Sequence, residues 1–206
     1  MKLFLESCCT SLDQVRCACD NGASRIELCE RIDLGGITPS VPLVKECLSA
    51  SAIPINVMIR PRGGNFVYSQ DELLQMAEDI RSLGKLPVNG FVFGCLTPEN
   101  EVDVPAMKKL MEEVSSKPVT FHRAFDQVVA PKTALEQIIE LGCTHLLTSG
   151  NMEDAFLGRF NIATLVEQAL GRITIIAGKG IRKSNLRQIA EDSHAPQFHG
   201  TSLFQG

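Results

Sequence analysis

No stretch of this sequence stays apolar for anything near the roughly 20 residues that a membrane-crossing helix needs. The opening Met1-Lys2-Leu3-Phe4-Leu5 turns polar at Glu6, so no secretory leader is expected. Basic residues are not in excess: 20 Lys and Arg stand against 24 Asp and Glu, a formal net charge of −4. A nucleic-acid or anionic-membrane partner, which selects for a basic face, is therefore not expected. Low-complexity stretches, linkers and blocks of like charge are absent. So is a Gly-x-Gly-x-x-Gly turn after the first strand, and so are Cys-x2-Cys pairs with zinc spacing. Together these absences predict a cytoplasmic protein with no organic cofactor.

What remains is an ordinary globular mixture, 44% hydrophobic and 21% charged in 206 residues, long enough for one well-buried domain over 1–206 and short for two. Eight cysteines are present, Cys8, Cys9, Cys17, Cys19, Cys29, Cys47, Cys95 and Cys143. Without a leader or a compact cysteine framework they read as reduced thiols, most of them small buried hydrophobes.

One unit recurs along the chain: a short β-rich run, a turn, then an amphipathic helical run. Strands are predicted at Lys2–Cys8, Ser24–Cys29, Ile55–Arg60, Gly90–Gly94, Pro118–His122, His145–Ser149, Arg172–Gly178 and Gln197–Thr201. Helices are predicted at Ser11–Asn21, Ser40–Ser51, Ser69–Leu83, Val104–Ser115, Lys132–Leu141, Asn161–Leu170 and Lys183–Asp192. Ser69 with Glu72 three residues on is a capping box. Strand alternating with helix implies parallel strands, which close either as a doubly wound sheet or as a barrel. Eight even repeats favour the α/β (β/α)8 TIM-type barrel. The eighth strand stands a few residues from Gly206, so the expected barrel lacks its final helix. A partner subunit or neighbouring helices are expected to cover the seam between the eighth and first strands.

Strand side chains alternate between faces. If Leu3, Leu5, Ile26, Leu28, Val57, Ile59, Val119 and Phe121 face the helices, then Glu6, Cys8, Arg25, Glu27, Cys29, Met58, Arg60, Thr120 and His122 turn inward. Charges in that set must pair with one another, bind a ligand, or both, because an unpaired buried charge costs several kcal/mol. Glu6, Glu27, Arg60 and His122 fall near the carboxyl ends of their strands, where barrels of this type place their sites.

Arg60-Pro61-Arg62-Gly63-Gly64 reads as a rigid turn able to present Arg60 and Arg62 to an anion. In Thr120-Phe121-His122-Arg123-Ala124-Phe125-Asp126, His122 is the candidate general acid/base, with a free pKa near neutrality, and Asp126 the residue to orient it. Glu27 is a further catalytic candidate. Arg123 has the opposite parity and bonds at the loop or faces the helix layer. Ser149, Gly178 and Gly180 end strands six and seven, where small residues let backbone amides approach a ligand. Loops after strands seven and eight hold phosphate in many barrels. Cys8 and Cys29 share the inward face of neighbouring strands, where two thiolates suit soft Cu(I). Cys9 follows Cys8 directly and so faces the other way.

Glu6-Ser7-Cys8-Cys9, Ser24-Arg25-Ile26-Glu27-Leu28-Cys29, Gly35-Gly36-Ile37-Thr38-Pro39-Ser40, Ile59-Arg60-Pro61-Arg62-Gly63-Gly64-Asn65-Phe66, Thr120-Phe121-His122-Arg123-Ala124-Phe125-Asp126 and Leu147-Thr148-Ser149-Gly150 occur in this order. This series resembles the CutC copper homeostasis family along nearly the whole chain. The resemblance implies a (β/α)8 barrel, a cytoplasmic location, a homodimer, and copper bound by Cys8, Cys9 and Cys29. Against that family the chain stops early, where further helix is expected. The polar rim itself suggests an alternative, an enzyme acting on a small anionic substrate, possibly phosphorylated, with His122 as acid/base.

Overall fold

The computed structural model describes residues 3–201, 203 and 204. Eight parallel strands close into a barrel in chain order: β1 (Phe4–Cys9), β2 (Arg25–Leu28), β3 (Ile55–Met58), β4 (Gly90–Phe93), β5 (Val119–Phe121), β6 (His145–Thr148), β7 (Thr174–Gly178) and β8 (Gln197–Gly200), with β8 paired back onto β1. Between them run α1 (Leu12–Asp20), α2 (Val41–Ala50), α3 (Gln70–Gly84), α4 (Val104–Glu113), α5 (Pro131–Glu140), α6 (Arg159–Ala169) and α7 (Leu186–Ser193). The barrel expected from the sequence is thus the fold. The main departures lie in two loops, where single-turn 3-10 segments form at Ile32–Leu34 and Arg123–Gln127.

Helix boundaries follow local chemistry. Ser11 caps α1 by accepting from the Gln14 amide, and Asp103 caps α4 by accepting from the Ala106 amide. Prolines sit in the first turns of α2, α4 and α5, where their missing N–H is not needed. At α3 the capping box is complete: Ser69 Oγ accepts from the Glu72 amide at 3.3 Å, and Glu72 Oε2 accepts from the Ser69 amide at 2.7 Å. Ser69→Ala should therefore cost about 1 kcal/mol, read as a lower urea midpoint with unchanged slope.

The alternation of strand side chains holds. Phe91, Phe93, Phe121 and Phe198 are fully buried in the cluster that joins the outer faces of the strands to the helices. Burying each stabilises the fold by about 1.5–3 kcal/mol. Inside, Cys8, Cys29, Met58 and Val92 form a separate small apolar cluster. Among the described residues no helix follows β8. Past β8, Leu203 and Phe204 are buried against the main core, with Cys17 Sγ of α1 donating to the Phe204 carbonyl at 3.3 Å.

Candidate functional site

The carboxyl ends of the strands open into a cavity of about 620 Å³, within the usual size of a small-ligand pocket. Its deep wall carries Cys8, Glu27, Cys29, His122 and His199, and its mouth carries Arg60, Arg123, Lys179 and Arg182.

Cys8 and Cys29 come together because parallel pairing of β1 and β2 sets Cys8 opposite Glu27 and continues to Cys9 opposite Leu28, with Cys29 next in line. Their sulfurs are 3.6 Å apart and both residues are buried. The Cys29 contact and burial hold the Cys8 thiol well above its ordinary range. Cys9 faces the opposite way, bonded to Ser7 Oγ at 3.5 Å in the layer between barrel and helices, and takes no part in this pair.

Beneath the thiols lies an ionic cluster. Arg25 pairs with Glu6 on the adjacent strand and also donates to Gln197 at 2.8 Å. The other Glu6 oxygen accepts from His199 Nδ1 at 2.9 Å, and His199 Nε2 faces Glu27 at 3.8 Å. Two acids and two bases thus share the interior, which is why none is stranded as an unpaired buried charge. Burial pulls Glu6 upward, but the His199 bond and the Arg25 charge outweigh it and hold the carboxyl at about 2. Burial pulls His199 down, but the Glu27 charge and the Glu6 bond outweigh it and raise the imidazole to about 9. Burial pushes Glu27 up from the ordinary carboxylate value. Glu6 itself is absent from the cavity wall. The expectation that it touches ligand gives way to a supporting place, since its two oxygens are already bonded to Arg25 and His199. Cys8, Glu27 and His199 each bring a ligating atom within 4.8 Å of the others, so the thiol pair sits beside two further metal-competent groups.

The linkage has a definite sign. His199 stabilises the native state fully below its free pKa of 6.5, and that contribution is lost as pH rises through about 9. Glu6 stabilises it fully above 4.5, and that contribution is lost as pH falls toward about 2. NMR titration should show His199 still protonated at pH 8. His199→Gln should flatten the decline in urea midpoint between pH 7 and 9.5.

His122 differs from its sequence reading. Burial first, then the Arg60 charge, depress it to about 3, so it is a neutral imidazole at neutral pH and not a group poised near 7. Its Nδ1 accepts from the Ala124 amide at 3.3 Å, which places the proton on Nε2, and Nε2 has no partner among the described residues. Asp126 does not orient it. Asp126 Oδ1 accepts from Thr148 Oγ1 at 2.6 Å and from the amides of Ser149 and Asn151, while Oδ2 accepts from Arg123 at 3.0 Å. Asp126 staples the β5 loop to the β6 loop because a dense set of donors ends β6. Arg123 bonds at the loop, as its parity suggested, and lines the mouth.

Arg60 is buried at 5% exposure and, among the described residues, pairs with no carboxylate, Glu27 included. It donates to the carbonyls of Leu34, Gly36 and Gly64 and lies over the Phe66 ring, 4.7 Å from its centroid. Arg62 leaves the cavity. It pairs with Glu72 at 2.5 Å and donates to the Gly63, Asn65 and Val67 carbonyls, because the capping carboxylate of α3 is its nearest counter-charge. Ser149 is also drawn off, its hydroxyl donating to the Met152 carbonyl. Gly178 sits within the barrel packing, where an added Cβ would meet Leu147 Cδ1 at 2.5 Å, whereas Gly180 reaches the cavity wall.

His199 is not among the site candidates named from the sequence. The signal was present: Phe198 suits the helix layer, so alternation turns Gln197 and His199 inward.

Comparison with known proteins agrees with this architecture. The CutC family profile matches residues 3–203. The CutC family protein of Parabacteroides distasonis is 46% identical over 200 residues, covering 97% of this chain and 82% of that protein. A crystal structure of CutC from Streptococcus agalactiae superposes with a TM-score of 0.93 at 36% identity, covering 97% of this chain and 99% of that one. An aldolase at 15% identity, with a TM-score of 0.73 and covering 97% of this chain and 90% of its own, shares the fold alone. The chain belongs to the CutC family.

Proposed function

We propose that this protein binds Cu(I) through the thiolates of Cys8 and Cys29, as a cytoplasmic participant in copper homeostasis. The observation that carries the reading is the 3.6 Å separation of the two sulfurs on the wall of the mouth cavity. One metal with two bonds of about 2.3 Å, the length seen for zinc–thiolate bonds, spans such a gap without moving either strand. Soft thiolates select Cu(I) over harder divalent ions. Glu27 stands close enough to complete the ligand set, and so does His199 once its Nε2 proton is displaced. Cys9 stays outside it, since β-strand parity turns it into the helix layer.

The bound form needs thiolates, and Cys8 is held in its thiol form, so loading displaces protons. Apparent Cu(I) affinity should therefore rise with pH between 6 and 8. Competition titration against a chromogenic Cu(I) chelator tests the assignment. Cys8→Ser and Cys29→Ser should each weaken binding by more than about tenfold, while Cys9→Ser leaves it unchanged. Equal loss in all three variants would remove the basis for a two-thiolate site.

A further inference from the structure

Copper bound at the thiols leaves the outer half of the cavity unexplained. Arg60 carries a full positive charge at 5% exposure; among the described residues its guanidinium is tied only to three neutral carbonyls and an aromatic face, and its Nε has no partner. Such a charge costs several kcal/mol unless something negative meets it. Across Phe66, whose ring centroid is 4.8 Å from that of His122, stands the unpartnered Nε2 of that neutral imidazole. At the mouth, Lys179 and Arg182 are exposed on the loop after β7, and among the described residues neither forms an ion pair.

The acids of the cavity do not offset these cations. Asp126 is saturated by Arg123, Thr148 and two backbone amides. Glu27 faces His199 deep in the barrel. Backbone shape points the same way. Lys179 is held at φ +77°, a conformation side chains avoid, and Gly180 follows at φ +73°. Strain of this kind, of order 1–3 kcal/mol, gathers at ligand clamps. Gly35 keeps the wall low beside Arg60, since a Cβ there would meet Nη1 at 3.0 Å.

The geometry points to a second ligand in this mouth: a small phosphorylated organic molecule. Its phosphate sits at the β7 loop with Lys179 and Arg182, and its polar body reaches Arg60 and the His122 Nε2–H. Several cations converging on one point suit the clustered oxygens of a phosphate better than the two separated, planar groups of a dicarboxylate, and loops after strands seven and eight bind phosphate in many barrels. This site uses residues other than the thiols and stands whether or not copper binds.

Calorimetric titration of the metal-free, full-length protein with inorganic phosphate and with malonate, at pH 7.5 and low salt, tests it. Saturable binding of phosphate is expected, with malonate at least about fivefold weaker. Lys179→Gln and Arg182→Gln, both at exposed positions where folding is not at stake, should each weaken phosphate by at least about fivefold. Arg62→Gln, whose side chain is tied to Glu72 outside the cavity, should leave it unchanged. No saturable phosphate binding, malonate binding as tightly as phosphate, or phosphate affinity indifferent to Lys179 and Arg182 would each overturn the assignment.

Discussion

Glu6→Gln should destabilise this barrel by about 3–5 kcal/mol, the usual consequence of removing one partner from a buried ion pair. The carboxylate is fully buried and joins Arg25 on β2 to His199 on β8, the two strands that flank β1. Without its charge Arg25 keeps only Gln197 and a weak contact with His145, together with the Phe4 ring 4.9 Å away. His199 would keep only Glu27, at 3.8 Å, so its pKa should fall from about 9. Equilibrium urea unfolding measures the first effect and NMR titration the second. Pairing Glu6→Gln with Arg25→Met should restore part of the loss, because it removes the stranded charge along with its partner. A double variant as unstable as the sum of its singles would contradict the view that the ion cluster acts as one unit.

Gly158→Ala should cost about 3 kcal/mol, at the upper end of what overpacking does. A Cβ at this position would lie 1.8 Å from the Ser149 carbonyl oxygen and 3.2 Å from the Gly150 Cα. Both obstacles are backbone, so no rotamer relieves them. Gly158 precedes the first turn of α6, and Ser149 is the first residue after β6, so the close approach draws the two ends of the connecting loop together at the barrel mouth. That loop carries the Asn151 amide that Asp126 accepts from, and the Met152 carbonyl to which Ser149 donates. The variant should accordingly lose stability and also weaken any ligand held at the mouth. A calorimetric scan of Gly158→Ala matching the parent would show that the approach is looser than described.

The barrel was legible because its signals are local and repeated. Alternation in Arg25-Ile26-Glu27-Leu28-Cys29 assigns the faces of β2, the capping box fixes the start of α3, and even spacing counts the strands. The same parity correctly set Cys8 and Cys29 together and Cys9 apart. The site was less legible, because its details depend on distances between segments far apart in the chain. Asp126 lies four residues from His122, yet it bonds to β6 and the loop beyond it, where backbone amides outcompete the imidazole. Arg62 belongs to the same short motif as Arg60, but the carboxylate that caps α3 draws it away. The pKa of His122 depends on burial and on Arg60, neither of which residue type reveals. Leu203 and Phe204 join the core through contacts that no periodic pattern announces.

In the proposed copper site, β1 and the residue after β2 present one pair of thiolates to one soft metal ion. X-ray absorption at the copper edge, on protein loaded with a single equivalent of Cu(I), addresses it directly. Two sulfur neighbours per copper are expected in the native protein and in Cys9→Ser, and none in the Cys8→Ser/Cys29→Ser double variant. A shell of nitrogen and oxygen alone, or a sulfur shell that survives loss of both thiols, would contradict it.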